Sequence, residues 1–165
     1  MRDQNSTLVT IGCNDGVSIE IELGQIERDH VQVWIRLCTD NRVFEGGSAH
    51  YGVDILNFIE ALTRIHQQLS GSARLYDWDG LPVLCLTVTW PMKGLIAIGG
   101  QLVLWRFPNQ ESCEDRFLPE SHFFANDGGI QIAFDGIMTD QSFLPPVITG
   151  MRRFLLDSRI SVEIP

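Results

Sequence analysis

Four histidines, four cysteines and 21 carboxylates are the groups with which this chain could do chemistry, provided that their spacing lets them converge. A metal site needs several donors at short, regular intervals, such as His-x-x-x-His or Cys-x-x-Cys. His30, His50, His66 and His122 stand far apart, and so do Cys13, Cys38, Cys85 and Cys113. The pattern predicts no metal site and no cofactor. Gly46-Gly47 and Gly99-Gly100 lack the Gly-x-x-x-x-Gly-Lys-Ser/Thr spacing of a phosphate loop, and neither opens a helix. Cys85 alternates within a strand-like run, which predicts a buried, inert thiol. Cys113 sits in a polar stretch with no basic neighbour to activate it.

The carboxylates face the same test. Glu20 and Glu22 project the same way from one strand, and Asp77 and Asp79 flank Trp78. Acid–base catalysis asks for two carboxyls across a cleft, in unlike environments. Neighbours on one strand face do not meet that requirement, and a solvated surface is the simpler reading. No serine or cysteine has a base evident from the sequence, so the chain is not expected to be an enzyme. A pocket joining Cys113, Asp115 and His122 would reverse that expectation.

What remains is a surface that could bind. The run VQVWIRLC at 31–38 sends Val31, Val33, Ile35 and Leu37 one way and Gln32, Trp34 and Arg36 the other. With Glu20 and Glu22 of the preceding strand, and Trp105 if its parity holds, these residues form a candidate partner-binding face. Tryptophan and arginine among polar neighbours are the composition of binding hot spots. The competing reading has Trp34 and Trp105 packed beneath residues 108–128 or against a cross-strand partner.

The elements that must carry this face read in order. Strands are predicted at 7–12, 17–23, 31–38 and 42–50, with Asp15-Gly16 in the first turn and Gly46-Gly47 as a bulge or bend. A helix follows over Asp54 to Gly71, started by Asp54, with an apolar stripe of Ile55, Ile59, Leu62, Ile65 (or His66) and Leu69. Period two returns at 73–78, 83–90, 95–107 and 129–138, and Gly99-Gly100 predicts a second bulge. Residues 108–128 form a long polar loop. The second helix begins near Asp140 and buries Leu144, Val147, Ile148, Met151, Phe154 and Leu155, with Pro145 and Pro146 in its first turn.

The fold class is therefore α+β. It is an antiparallel sheet of about seven to nine strands, in the order ββββ-α-ββββ-α, with both helices on one face. A C-terminal tail at 158–165 alternates as an edge strand, through which a homodimer could form.

At 165 residues the chain suits a single domain. Its net charge of −9, from 12 basic and 21 acidic residues, disfavours nucleic acid and anionic lipid and suits a basic protein partner. No run nears the roughly 18 apolar residues of a membrane span, and the first residues hold no secretory signal, so a cytoplasmic protein with free thiols is expected.

Several local strings carry a resemblance. Gly71-Ser-Ala-Arg-Leu75, Leu84-x-Leu86-x-Val88, Gly94-Leu-Ile-Ala-Ile98 and Asp140-Gln-Ser-Phe-Leu-Pro-Pro146 resemble the WapI family of small bacterial immunity proteins. The resemblance spans roughly residues 7 to 157, and its most specific piece is the Leu-Pro-Pro entry to the last helix. It implies a curved antiparallel sheet with two helices on one side. The implied role is non-enzymatic: to bind and neutralise the toxic C-terminal domain of a polymorphic toxin. The 108–128 loop and the tail depart from the shorter family pattern, and no binding residue carries over. A small-ligand-binding domain, with its pocket between the sheet and the 108–128 loop, or an oligomeric structural domain is the alternative.

Overall fold

Asp15 and Gly16, at φ 62° and 71°, close the first hairpin between β1 (Thr7–Gly12) and β2 (Ser18–Gln25). Positive φ at two successive turn residues matches the right-handed twist of the flanking strands, and Asp-Gly tolerates it. The computed structural model describes residues 6–25, 29–77, 80–89, 94–104 and 130–158. Trp105, the 108–128 loop and the tail beyond Ser158 lie outside the described residues.

β3 (His30–Cys38) and β4 (Val43–Tyr51) continue the antiparallel pairing into a four-stranded sheet in chain order. α1 (Gly52–Gln68) follows without a loop. A second four-stranded antiparallel sheet then forms from β5 (Ser72–Tyr76), β6 (Pro82–Val88), β7 (Leu95–Leu104) and β8 (Ile130–Asp140). α2 (Leu144–Asp157) completes the order ββββ-α-ββββ-α. The single sheet of seven to nine strands expected from the pattern is corrected to two sheets. β4 approaches β7 but shares no ladder with it. Alternation reports which face a side chain takes and is silent on which ladder its strand joins.

The two glycine pairs behave differently from each other. At Gly46-Gly47 there is no bulge: Ile35 faces Gly46 and Trp34 faces Gly47 in unbroken register. Near Gly99-Gly100 the register does shift, but the extra residue belongs to β8. There Asp135 and Gly136 lie between the partners of Ile98 and Gly100, and Gly136 takes φ 71°. A glycine in the left-handed region beside one unpaired position is how a strand absorbs an extra residue.

Both helices are set by their first turns. Asp54 was expected to cap α1 from outside; it sits inside the first turn, and its carboxylate accepts from the Tyr51 N–H at 3.2 Å. The chain leaves α1 through Leu69 and Gly71, both at positive φ. Before α2, the Asp140 carboxylate accepts from the Ser142 N–H at 2.7 Å, across a single 3-10 turn. Pro145 and Pro146 then fall in the first turn, where missing N–H groups cost nothing.

The core is continuous across both halves. Val9, Ile11, Ile19, Ile21, Val33 and Ile35 of the first sheet meet Leu75, Leu84, Leu86, Ile96 and Ile98 of the second in one cluster with both helix stripes. α1 packs on α2, β5 and β4, while α2 packs on β1. Gly150 explains how close α2 comes: a Cβ there would collide with the Val9 side chain. The stripe of α2 is buried as predicted; in α1 Ile55, Ile59, Leu62 and Ile65 are buried together with Phe58, 1% exposed, whereas Leu69 falls just past the helix and is only partly buried. Among the described residues no helix is long and apolar enough to cross a membrane.

Candidate protein-binding face

The register of the first sheet decides which outward side chains are neighbours. One row reads Leu8, Glu22, Trp34, Gly47, and the next Thr10, Glu20, Arg36, Glu45. These positions alternate with Val9, Ile21 and Ile35, so they point away from the helices. Five residues of the sequence-predicted face, Glu20, Glu22, Gln32, Trp34 and Arg36, are thereby brought onto one surface; Trp105 lies outside the described residues. Gln32 shares the face but is only 4% exposed.

Arg36 organises the charges. Its Nη2 donates to Glu22 Oε2 at 2.5 Å, its Nε donates to Glu45, and its Nη1 lies 3.7 Å from Glu20 Oε2. Burial alone would depress the guanidinium pKa. The hydrogen bonds and charges of Glu22 and Glu45 outweigh it and hold the pKa above its ordinary value. Three carboxylates against one guanidinium leave the cluster with an excess of negative charge. Glu45 was missed in the sequence because reading Gly46-Gly47 as a bulge obscured the alternation of β4.

Trp34 lies beside this cluster, half-buried. A Cβ on Gly47 would come within 2.6 Å of its ring atom Cζ3, so the indole lies against bare backbone. An aromatic ring over a cross-strand glycine covers the backbone that the glycine leaves open. Leu8, 53% exposed, adds apolar surface in the same row.

The inner side of β4 holds a pair that sequence reading also missed. Ser48 Oγ and His50 Nε2 are 2.7 Å apart, both buried. The i, i+2 spacing within a strand was the available signal. A hydroxyl bonded to an imidazole is the beginning of a nucleophile–base arrangement, but the third element is lacking. No carboxylate is among the groups that act on the buried His50 ring, so none orients it as a base. Burial pushes the His50 pKa down to about 4, against a smaller opposing effect of the Tyr76 backbone. A base that weak, closed off from solvent, suits structure rather than proton transfer at neutral pH.

The other reactive groups are similarly placed. His30 Nδ1 lies 2.9 Å from the Asp29 carboxylate, and its ring meets that of Tyr51 at 4.9 Å. Cys85 corrects its expectation: it is half-buried on the outer face of the second sheet, because Leu84 and Leu86 take the inner positions. Burial raises the Cys13 thiol to about 11, and burial with the Glu20 charge raises Cys38. Both therefore stay protonated at neutral pH, unlike reactive cysteines. Among the described residues no group of three or more His, Cys, Asp or Glu side chains could hold a metal ion. Cys113, Asp115 and His122 lie outside them. No protein-family model matches the chain, and no curated protein or solved structure shows significant similarity to it.

Proposed function

We propose that this chain is a non-enzymatic immunity protein of the bacterial cytoplasm, which neutralises a polymorphic toxin by docking on it through the outer face of the first sheet. The observation that carries the reading is the arrangement of that face. Helices seal one side of the sheet, while the other presents Trp34 beside Glu20, Glu22 and Glu45 with Arg36 among them. The net charge of −9 makes a basic toxin domain the fitting partner. Opposite charge would speed and orient the encounter, and Trp34 with Leu8 would add the apolar anchor. The resemblance of residues 7 to 157 to the WapI family points the same way.

Calorimetric titration with the toxin domain encoded beside this chain's gene tests the reading. Glu20→Lys and Glu22→Lys are expected to weaken binding by at least about tenfold each, with stronger loss at low salt, and Trp34→Ala by about tenfold or more. Asp157→Lys, on the exposed end of α2 where Asp157 pairs with Arg153 at 3.3 Å, should leave affinity nearly unchanged. Absence of binding to that toxin, or equal losses from all four substitutions, would refute the assignment.

A further inference from the structure

The first sheet ends at β1, and the phase of its hydrogen bonds says which groups face outward there. The Cys13 N–H donates to the Val17 carbonyl at 2.9 Å, closing the β1–β2 hairpin. In an antiparallel ladder bonded pairs alternate with unbonded ones, so Ile11 with Ile19 and Val9 with Ile21 spend their N–H and C=O groups on each other. The N–H and C=O groups of Leu8, Thr10 and Gly12 therefore point away from β2. The Gly12 carbonyl accepts from Thr139 Oγ1 at 2.6 Å, which fits that phase. Among the described residues nothing else bonds to this edge.

A bare edge invites another strand, and proteins blunt such edges with charges, prolines or bulges. Among the described residues the other sheet edges are blunted. β4 carries Glu45 and lies near β7, β5 carries Arg74, and β8 carries Asp135 at its bulge. β1, TLVTIG, has no charge, no proline and an unbroken register. What lies beside it is acidic. On the outer face Leu8 adjoins Glu22 and Thr10 adjoins Glu20. Glu22 is tied to Arg36 at 2.5 Å, whereas Glu20 stands 3.7 Å from that guanidinium; it is the most loosely held of the three carboxylates and, at 31%, the most exposed.

On the toxin-binding reading above, on which this rests, we propose that an extended segment of the basic toxin domain adds to β1 as a fifth strand of the first sheet, with a lysine or arginine beside Thr10 that reaches Glu20. Main-chain bonds to Leu8, Thr10 and the Gly12 N–H give affinity whatever the sequence, and the outward side chains select the partner. An added strand lies about 5 Å from β1 and about 10 Å from β2, a gap that a long basic side chain and a glutamate close over the short Thr10. The β1 of a second copy fits the edge less well. TLVTIG brings no cation to Glu20, and a net charge of −9 on each copy opposes association.

Residue-resolved amide exchange by NMR tests this, on the full chain alone and with the toxin domain encoded beside its gene. In the free chain the Val9 and Ile11 amides should exchange slowly and those of Leu8 and Thr10 fast; in the complex Leu8 and Thr10 should slow by at least about tenfold. Docking on the face alone leaves that alternation in place. Thr10→Pro, which removes an edge donor and spares the ladder to β2, should weaken binding by at least about tenfold. Should that variant fail to fold, Thr10→Lys is expected to weaken binding about threefold at low salt and Thr10→Glu to strengthen it by a similar factor. A complex in which the Leu8 and Thr10 amides stay fast, or to which the two charged variants bind alike, overturns the added strand and leaves the toxin-binding reading standing. Absence of any complex refutes both. Leu8 and Thr10 amides already slow in the free chain would put a second copy, or another part of this chain, on the edge and would equally overturn the proposal.

Discussion

Gly47 decides where the Trp34 ring can lie. Its hydrogen leaves room for the indole against the strand, and a methyl at that point would stand 2.6 Å from Cζ3. Gly47→Ala should therefore displace the ring rather than merely stiffen the backbone. The expected loss is about 1–3 kcal/mol, the usual cost of overpacking, read as a lower urea midpoint at unchanged slope. A midpoint equal to that of the unaltered chain would show that the indole has another place to go. At this scale the sequence was legible where alternation was clean. VQVWIRLC gave Gln32, Trp34 and Arg36 their face, and the register added Glu22 and Glu20 as cross-strand neighbours. It was opaque where a side chain owes its setting to distant residues. His50 reads as an isolated histidine in the sequence, and its burial depends on a second sheet that begins more than twenty residues later.

At the scale of elements, local chemistry is the better guide. Asp15-Gly16 makes its hairpin and Asp140 makes its cap because each choice is settled within four residues. The bulge near Gly99 shows the limit. Glycines on β7 suggested where the register slips, but the residue absorbing the slip is Gly136 on the partner strand, fixed by pairing across the sheet. That assignment separates two causes of glycine preference. Nothing lies within 4 Å of a Cβ built on Gly136, so crowding plays no part and φ 71° alone favours glycine. Gly136→Ala is expected to destabilise by about 1–2 kcal/mol, and Gly136→Asn, despite its greater bulk, by less, because asparagine tolerates the left-handed region. Thermal midpoints of the two variants check the order. If asparagine proved the more damaging, space rather than backbone conformation would govern the position.

For the whole molecule, the division into two sheets raises the question of whether they are two folding units. The strand periods could not answer it, since ββββ-α repeated twice is equally compatible with one broad sheet, two domains or two sheets on a common core. The packing answers through α1. Its stripe of Ile55, Phe58, Ile59, Leu62 and Ile65 belongs to the same buried cluster as the inner faces of both sheets, and the helix contacts β4, β5 and α2. Neither half can expose its inner face without stripping α1 or α2 of part of its cover, so the halves should unfold together. Phe58, 1% exposed at the middle of that helix, is the residue to perturb. Phe58→Ala should cost about 3–5 kcal/mol, and the loss should appear equally in amide protection of β2–β3 and of β6–β7. The unaltered chain should melt in one transition, with calorimetric and van 't Hoff enthalpies in agreement. Two transitions, or a Phe58→Ala variant that loosens one sheet and spares the other, would mean that the helices serve each sheet separately and that the shared core carries little of the stability.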